Sequence, residues 1–128
     1  MAMMQRSVSE RPLHGLRILV VEDDYFIAIE MCRALRAAGA DVIGPARDVE
    51  TGLGAIRAER IDCAVLDINL HGRLAFELAA ELRARNIPTI FATGYDASMI
   101  PAELADIVLL EKPVDMKALC RAIEVSCS

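Results

Sequence analysis

Tryptophan is absent from this 128-residue chain and aromatic residues make up only 4% of it, although 55% of the residues are hydrophobic. That composition predicts one domain with an aliphatic core. No apolar run approaches the roughly 20 residues that a helix needs to cross a bilayer. The N-terminal segment carries charged side chains and lacks the apolar stretch of a signal peptide. We therefore expect a cytoplasmic protein that makes no contact with membranes.

Metal-binding cysteine motifs and concentrated positive charge are also missing. The four cysteines show neither CxxC nor Cys/His metal spacing, and three of them fall within apolar patterns. We expect reduced thiols, which fits a cytoplasmic location. The 14 Lys and Arg residues are scattered through a chain of net charge −5, which predicts no nucleic-acid partner.

Short apolar runs alternate with helical patterns along the rest of the chain. The predicted strands are residues 17–21, 41–44, 62–68, 89–92 and 107–110. Helices are predicted after Asp24, after Asp48, along the stripe Leu74, Leu78 and Leu82, and over residues 116–125. Residues 101–105 permit only a turn or so of helix, so the fourth helix is expected to be short or mobile.

Strands and helices joined by short connections predict an α/β fold, (βα)₅, with a doubly wound parallel sheet and strand order 2-1-3-4-5. We expect residues 1–15 to form a flexible lead-in and residues 16–128 to form the domain.

Acidic residues follow the first and third predicted strands. In open parallel sheets the carboxyl ends of these strands flank the switch point, so Glu22, Asp23 and Asp67 are expected to meet there. Three carboxylates repel one another unless a cation or a raised pKa relieves the repulsion. We predict a Mg²⁺ (or Mn²⁺) site in which Asp23 and Asp67 bind directly and Glu22 binds through water. The backbone carbonyl of Asn69 is a further candidate ligand.

A hydroxyl and an ammonium follow the remaining two strands. Asp67 is predicted to accept a phosphoryl group, with Thr93 donating to one phosphoryl oxygen and Lys112 pairing with another. A cis peptide bond before Pro113 would be one way to aim Lys112 inward. Each of these residues has a commoner structural explanation when taken alone, such as a helix cap for Asp23. The prediction of a phosphoryl-accepting site therefore depends on all of these residues occurring together.

The order of these residues along the chain resembles that of the receiver domain of two-component response regulators. The order is the acids, then Asp67, Thr93 and Lys112-Pro113, and the resemblance covers roughly residues 16–126. The segment 91–95, Phe-Ala-Thr-Gly-Tyr, looks like the FAT GUY-type single-domain subgroup. The resemblance implies a flavodoxin-like fold and phosphotransfer from the phosphohistidine of a sensor histidine kinase, often HWE-type, or from a phosphotransfer protein. It also implies slow self-dephosphorylation, no conventional enzyme activity, and signalling through a downstream protein partner.

Several positions depart from that family pattern or have an open role. Leu109 stands three residues before the lysine, where receivers carry an aromatic switch residue, and Tyr95 is the candidate replacement. Met99, Ile100 and Leu104 form either an exposed patch for a partner or a satellite of the core. His71 is interpreted as solvated surface.

Other functions remain open at this point. A Mg²⁺-dependent phosphatase or phosphotransferase with an aspartyl-phosphate intermediate needs an acid two residues after the nucleophile, where this chain has Asn69. A flavodoxin-like cofactor binder would need a phosphate-cradling loop, but the acids 22–24 repel phosphate unless a metal intervenes. A phosphate sink, or a receiver excised from a hybrid histidine kinase, shares the leading chemistry and differs only in its partners.

Overall fold

The computed structural model describes residues 11–127. Its seven strands are β1 (Arg17–Val21), β2 (Asp41–Ala46), β3 (Cys63–Leu66), β4 (Asn69–Leu70), β5 (Arg73–Leu74), β6 (Thr89–Thr93) and β7 (Val108–Glu111). Five of them form one parallel sheet in the order β2-β1-β3-β6-β7. When only these five are numbered, the order is the predicted 2-1-3-4-5, and the prediction is confirmed.

Four α-helices cover the sheet. They are α1 (Tyr25–Ala37), α2 (Val49–Ala58), α3 (Phe76–Ala84) and α4 (Met116–Ser126). Aspartates cap three of them: Asp24 accepts hydrogen bonds from two N–H groups of the first turn of α1, Asp48 caps α2 and Asp115 caps α4. Each side chain satisfies backbone donors that the helix cannot pair internally, which sets where these helices begin.

Both faces of the sheet are buried. Successive strand residues point to opposite faces, so Leu19 and Leu66 pack with α2 and α3, while Ile18 and Val65 pack with α1 and α4. The central strands β1, β3 and β6 are therefore apolar between their ends. The polar side chains that close or follow these strands lie at the carboxyl edge of the sheet.

The prediction for the third helix was wrong at its start. Leu74 does not belong to the helix; it lies in β5 and is 38% exposed, whereas Leu78 and Leu82 are buried as predicted. After β3 the chain first forms the short antiparallel hairpin β4–β5, and Ala75 N–H then donates to the carbonyl of Ile68 at 2.7 Å. This hairpin delays the helix to Phe76.

Residues 101–105 form a single 3₁₀ turn, Ala102–Leu104, as predicted, and another 3₁₀ turn, Ala97–Met99, comes before it. Asp96 caps the Ala97–Met99 turn by accepting a hydrogen bond from Ser98 N–H at 2.9 Å. Pro101 separates the turns because it has no N–H to continue a helix.

Part of the expected lead-in can be placed. Residues 1–10 lie outside the described residues, but Leu13 is fully buried and its N–H donates to the carbonyl of Ala38 at 2.9 Å. Packing therefore begins before residue 16.

All four cysteines are free thiols. Within residues 11–127, no helix combines the length and the apolar character that membrane crossing requires.

Candidate functional site

The site lies where four parallel strands end. Glu22 follows β1, Asp67 follows β3, Thr93 ends β6 and Lys112 follows β7. Backbone hydrogen bonds continue just beyond the strands, from Asp67 N–H to the carbonyl of Val21 at 2.9 Å and from Lys112 N–H to the carbonyl of Thr93 at 3.1 Å. These bonds fix the backbone at the side chains that carry the chemistry. The peptide bond between Lys112 and Pro113 is cis.

Asp67 is the centre of the hydrogen-bond network. Only 6% of the residue is exposed. One carboxylate oxygen, Oδ1, accepts from Thr93 Oγ1 at 2.8 Å and from Asn69 N–H at 3.3 Å. The other, Oδ2, accepts from Lys112 Nζ at 2.9 Å. A buried carboxylate is tolerated here because the Lys112 ammonium, the Thr93 hydroxyl and the Asn69 N–H together offset the loss of its hydration.

Three carboxylates and one ammonium share this small volume. Glu22, Asp23 and Asp67 each offer an oxygen, and those oxygens lie within 4.8 Å of one another. Lys112 Nζ is 2.7 Å from Glu22 Oε1 and 2.9 Å from Asp67 Oδ2. The site therefore keeps an excess of negative charge when all three acids are ionised.

Burial and charge shift the pKa values of two of these groups. Burial raises the pKa of the Glu22 carboxyl to about 7, and the nearby charge of Asp67 adds to the effect, although Lys112 opposes it. For Lys112, burial opposes the charged form, but the hydrogen bond to Asp67 and the ion pair with Glu22 outweigh burial and raise the pKa of the ammonium. The free site thus holds a proton on Glu22 more readily than a surface carboxylate would.

The donor set fits a hard divalent cation. Glu22 Oε1 is buried and, among the described residues, accepts no well-aligned hydrogen bond despite its closeness to Lys112. Asp23 is partly exposed, with 18% of its side chain accessible, so an ion can reach it. Carboxylate oxygens at this spacing are the ligands that Mg²⁺ or Mn²⁺ takes, with water completing the shell.

Asn69 and His71 belong to the hairpin beside the acids. Asn69 Oδ1 accepts a hydrogen bond from Gly72 N–H at 2.8 Å, so its side chain stabilises the turn. The His71 side chain is 67% exposed, in keeping with the sequence interpretation, but its Nδ1 lies 3.4 Å from Asp23 Oδ2. His71 N–H also donates to that oxygen at 2.9 Å. Sequence reasoning missed this contact because it did not predict the β4–β5 hairpin that carries His71.

The predicted switch and partner residues occupy different environments. Tyr95 N–H donates to Thr93 Oγ1 at 3.1 Å, and Tyr95 lines a cleft of about 460 Å³ that also includes Asp67. Leu109 and Ile100 are partly buried and pack against the core, whereas Met99 is 62% exposed. Met99 and Ile100 therefore do not form one exposed patch.

Comparison with known proteins supplies the family. The family model described as the response regulator receiver domain matches residues 18–124. Among curated proteins, the transcriptional regulatory protein PdtaR of Mycobacterium tuberculosis is 24% identical over 116 residues, which cover 88% of this chain and 57% of PdtaR. The chain spans about half the length of the curated relatives that it matches.

Two solved structures show the same likeness over nearly their whole length. SdrG from Sphingomonas melonis Fr1 is 32% identical with a TM-score of 0.74, and the match covers 88% of this chain and 97% of SdrG. The BeF₃-activated conformation of SdrG, given for Pseudomonas melonis Fr1, is also 32% identical, with a TM-score of 0.70 and coverage of 84% and 92%. Together with the fold and the acidic strand-end site, these matches show that the chain belongs to the response regulator receiver domain family.

Proposed function

We propose that Asp67 accepts a phosphoryl group from the phosphohistidine of a sensor histidine kinase, and that the phosphorylated domain signals through contact with another protein. The observation that carries this proposal is the set of partners around Asp67. Thr93 Oγ1 and Lys112 Nζ reach its two oxygens at 2.8 and 2.9 Å, and two further acids offer oxygens within 4.8 Å of one of its own.

In the transfer step, one Asp67 oxygen attacks phosphorus in line with the bond to the donor imidazole. The new O–P bond forms as the P–N bond breaks, and the bonding electron pair returns to the imidazole nitrogen. Lys112 and Thr93 then donate to phosphoryl oxygens instead of to the carboxylate. Such transfers depend on positioning and on stabilisation of charge rather than on covalent chemistry by the protein.

The metal, Mg²⁺ or Mn²⁺, would be held by Asp23 and Asp67, with Glu22 acting through water and the Asn69 carbonyl as a further ligand. When bound, it supplies positive charge beside the phosphoryl oxygens. The chain's own contribution is to hold the oxygen donors close together before the ion arrives. Glu22 Oε1 supports this assignment, because it is buried and accepts no well-aligned hydrogen bond among the described residues, although Lys112 lies close to it.

Output is proposed to run through the segment that follows β6. The backbone N–H of Tyr95 donates to Thr93 Oγ1, and Met99 in the first 3₁₀ turn is exposed to solvent and would contact the partner. The donor is proposed to be an HWE-type kinase or a phosphotransfer protein. Phosphotransfer from a purified radiolabelled kinase of that type, compared with kinases of other types, tests that assignment.

Acetyl phosphate tests the central proposal without a kinase. Intact-mass measurement should show one added phosphoryl group in the presence of Mg²⁺ and none after chelation. Asp67→Asn should abolish labelling. Asp48→Asn is the matched control, since it makes the same change at an exposed helix cap where Asn serves equally well.

Labelling that persists in Asp67→Asn would contradict the proposal. Rapid turnover of many unrelated phosphate esters would instead favour the phosphatase alternative.

A further inference from the structure

The β4–β5 hairpin places two backbone N–H groups against the acids of the site. His71 N–H donates to Asp23 Oδ2 at 2.9 Å, and Asn69 N–H donates to Asp67 Oδ1 at 3.3 Å. Hydrogen bonds of this kind orient the carboxylates that bind a metal, and the loss of such a partner typically lowers metal affinity by about 10–100-fold. The position of the hairpin therefore acts directly on the acids.

Few side chains attach the hairpin to the core. Among residues 69–74, all of which the structure describes, only Leu70 is buried. His71 and Gly72 form the connection, and their φ angles of +53° and +86° are typical of a type I′ turn. The first strand of the hairpin thus has one apolar anchor, whereas β5 has no buried side chain of its own.

Arg73 connects β5 to two helices. Its Nη1 pairs with Glu50 in the first turn of α2, and its Nη2 donates to Glu77 Oε1 in the first turn of α3 at 3.0 Å. The two bonds use different nitrogens of the planar guanidinium, which the single ammonium of a lysine cannot reproduce. An isolated exposed ion pair contributes little to stability, but here one cation joins three elements.

We propose that Arg73 is a positioning residue for metal binding and phosphoryl transfer, because it holds the β4–β5 hairpin against α2 and α3 and so keeps the two hairpin N–H groups bonded to the acids. The inference rests on the proposed function of the acidic site. The hydrogen-bond partners of Arg73 are Glu50 and Glu77, so it acts on the site through the hairpin.

The charge of Arg73 has an effect of the opposite sign. A positive charge near the acids repels a second cation, so the loss of that charge alone would strengthen Mg²⁺ binding. The loss of hairpin position would weaken Mg²⁺ binding, because the carboxylates would lose their amide donors. The direction of the change therefore separates the two effects.

Calorimetric titration of metal-free protein with Mg²⁺ measures that direction. Arg73→Met keeps an unbranched side chain and removes the guanidinium. We expect the Mg²⁺ dissociation constant to rise at least about threefold, and less than about 100-fold because Leu70 still anchors the hairpin. Arg73→Lys keeps the charge without the fork and should give an intermediate constant. Arg83→Met is the matched control, since Arg83 is similarly exposed and pairs with Asp106 before β7, at the other edge of the sheet.

Amide hydrogen exchange provides a second measurement that needs no metal. Exchange at Asn69 and His71 should be faster in Arg73→Met than in wild type, and unchanged in Arg83→Met. A Mg²⁺ dissociation constant that stays constant or falls in Arg73→Met, or unaltered exchange at both amides, would show that Arg73 does not position the hairpin. Failure of the proposed function has a different signature, which is wild-type protein that acetyl phosphate does not label at saturating Mg²⁺.

Discussion

Thr93 Oγ1 donates a hydrogen bond of 2.8 Å to Oδ1 of Asp67, so in the free domain this hydroxyl is bonded to the carboxylate itself. The same hydroxyl oxygen accepts a hydrogen bond from Tyr95 N–H at 3.1 Å. A phosphoryl group on Asp67 would offer the hydroxyl a different acceptor. Any reorientation of Thr93 would therefore be transmitted to the backbone of Tyr95.

Thr93→Val tests this connection, because valine keeps the shape of the side chain and removes its hydroxyl. We expect a loss of about 1–2 kcal/mol in the free energy of unfolding, since a buried carboxylate loses a donor. Acetyl phosphate should still label Asp67 through Lys112, but the change in the amide NMR shift of Tyr95 on beryllofluoride binding should shrink. Thr93→Ser, which keeps the hydroxyl, is the control. A full response at Tyr95 in Thr93→Val would refute the connection.

The excess of acids makes the metal-free site a source of instability. Asp23→Asn removes one of three clustered negative charges while keeping an oxygen for the His71 N–H bond. In chelator we expect it to raise the free energy of unfolding by about 1 kcal/mol, because like charges at this distance repel. Mg²⁺ should then stabilise wild type more than Asp23→Asn.

Thermal melts with and without Mg²⁺ measure both effects. Asp48→Asn, at an exposed cap, should change neither melt appreciably. Destabilisation of the metal-free protein by Asp23→Asn would show that the acids do not repel one another in the way proposed here.

The shifted pKa of Glu22 predicts a pH dependence of stability in the metal-free protein. Burial raises this pKa from 4.5 to about 7, so the folded state binds the proton more tightly than the unfolded state does. The resulting stabilisation is complete below about pH 4.5 and is lost as the pH rises through about 7. Over that range we expect the free energy of unfolding to fall by about 1–3 kcal/mol.

Urea unfolding in chelator at several pH values measures the fall. Glu22→Gln stays neutral throughout, so the difference between wild type and this variant isolates the contribution of Glu22. Identical pH profiles for the two proteins would contradict the assignment.

Helix α2 contains two glycines that should respond oppositely to the same substitution. A Cβ at Gly54 meets nothing within 4 Å, so Gly54→Ala should stabilise the protein by about 0.5–1 kcal/mol through helix propensity. A Cβ at Gly52 would lie 3.0 and 3.1 Å from the methyl groups of Leu78, which is fully buried. Overpacking there costs about 1–3 kcal/mol, so Gly52→Ala should be destabilising. Chemical denaturation measures both, and equal stabilisation would show that Leu78 can move aside.

Much of this architecture follows from local sequence. The five apolar runs predict the sheet, and Asp24 and Asp48 mark the starts of two helices because cap chemistry is local. The gathering of Glu22, Asp23 and Asp67 also follows, since parallel strands place their carboxyl ends at one edge. These predictions need only short-range patterns and one rule of topology.

Other features depend on contacts that no local pattern records. The hairpin β4–β5 has strands of two residues each, too short for an alternating pattern to show, and it removed Leu74 from the predicted helix. The contact between His71 and Asp23 depends on how that hairpin folds back across the site. The pKa of Glu22 depends on burial by elements distant in sequence. Each of these features is set by tertiary contacts and not by residues that are neighbours in the sequence.

The fluorescence of Tyr95 can test whether this residue takes the switch role of the aromatic residue that is missing at Leu109. The chain has two tyrosines and no tryptophan, so Tyr25→Phe leaves Tyr95 as the single tyrosine emitter. The ring of Tyr95 meets that of Phe76 edge-to-face, with centroids 6.1 Å apart, and such pairs contribute about 0.5–1.5 kcal/mol. Movement of Thr93 should disturb this pair through the backbone bond at Tyr95.

We therefore expect the fluorescence of the Tyr25→Phe protein to change when Mg²⁺ and beryllofluoride are added together, and not with either one alone. Adding Asp67→Asn should abolish the change, and adding Phe76→Leu should shift the emission of the free protein because the ring contact is lost. The NMR shift of Lys112 reports independently whether beryllofluoride is bound at Asp67. If the Lys112 shift changes while the emission of Tyr95 stays constant, then Tyr95 only anchors the cleft, and the conformational signal is transmitted by other residues.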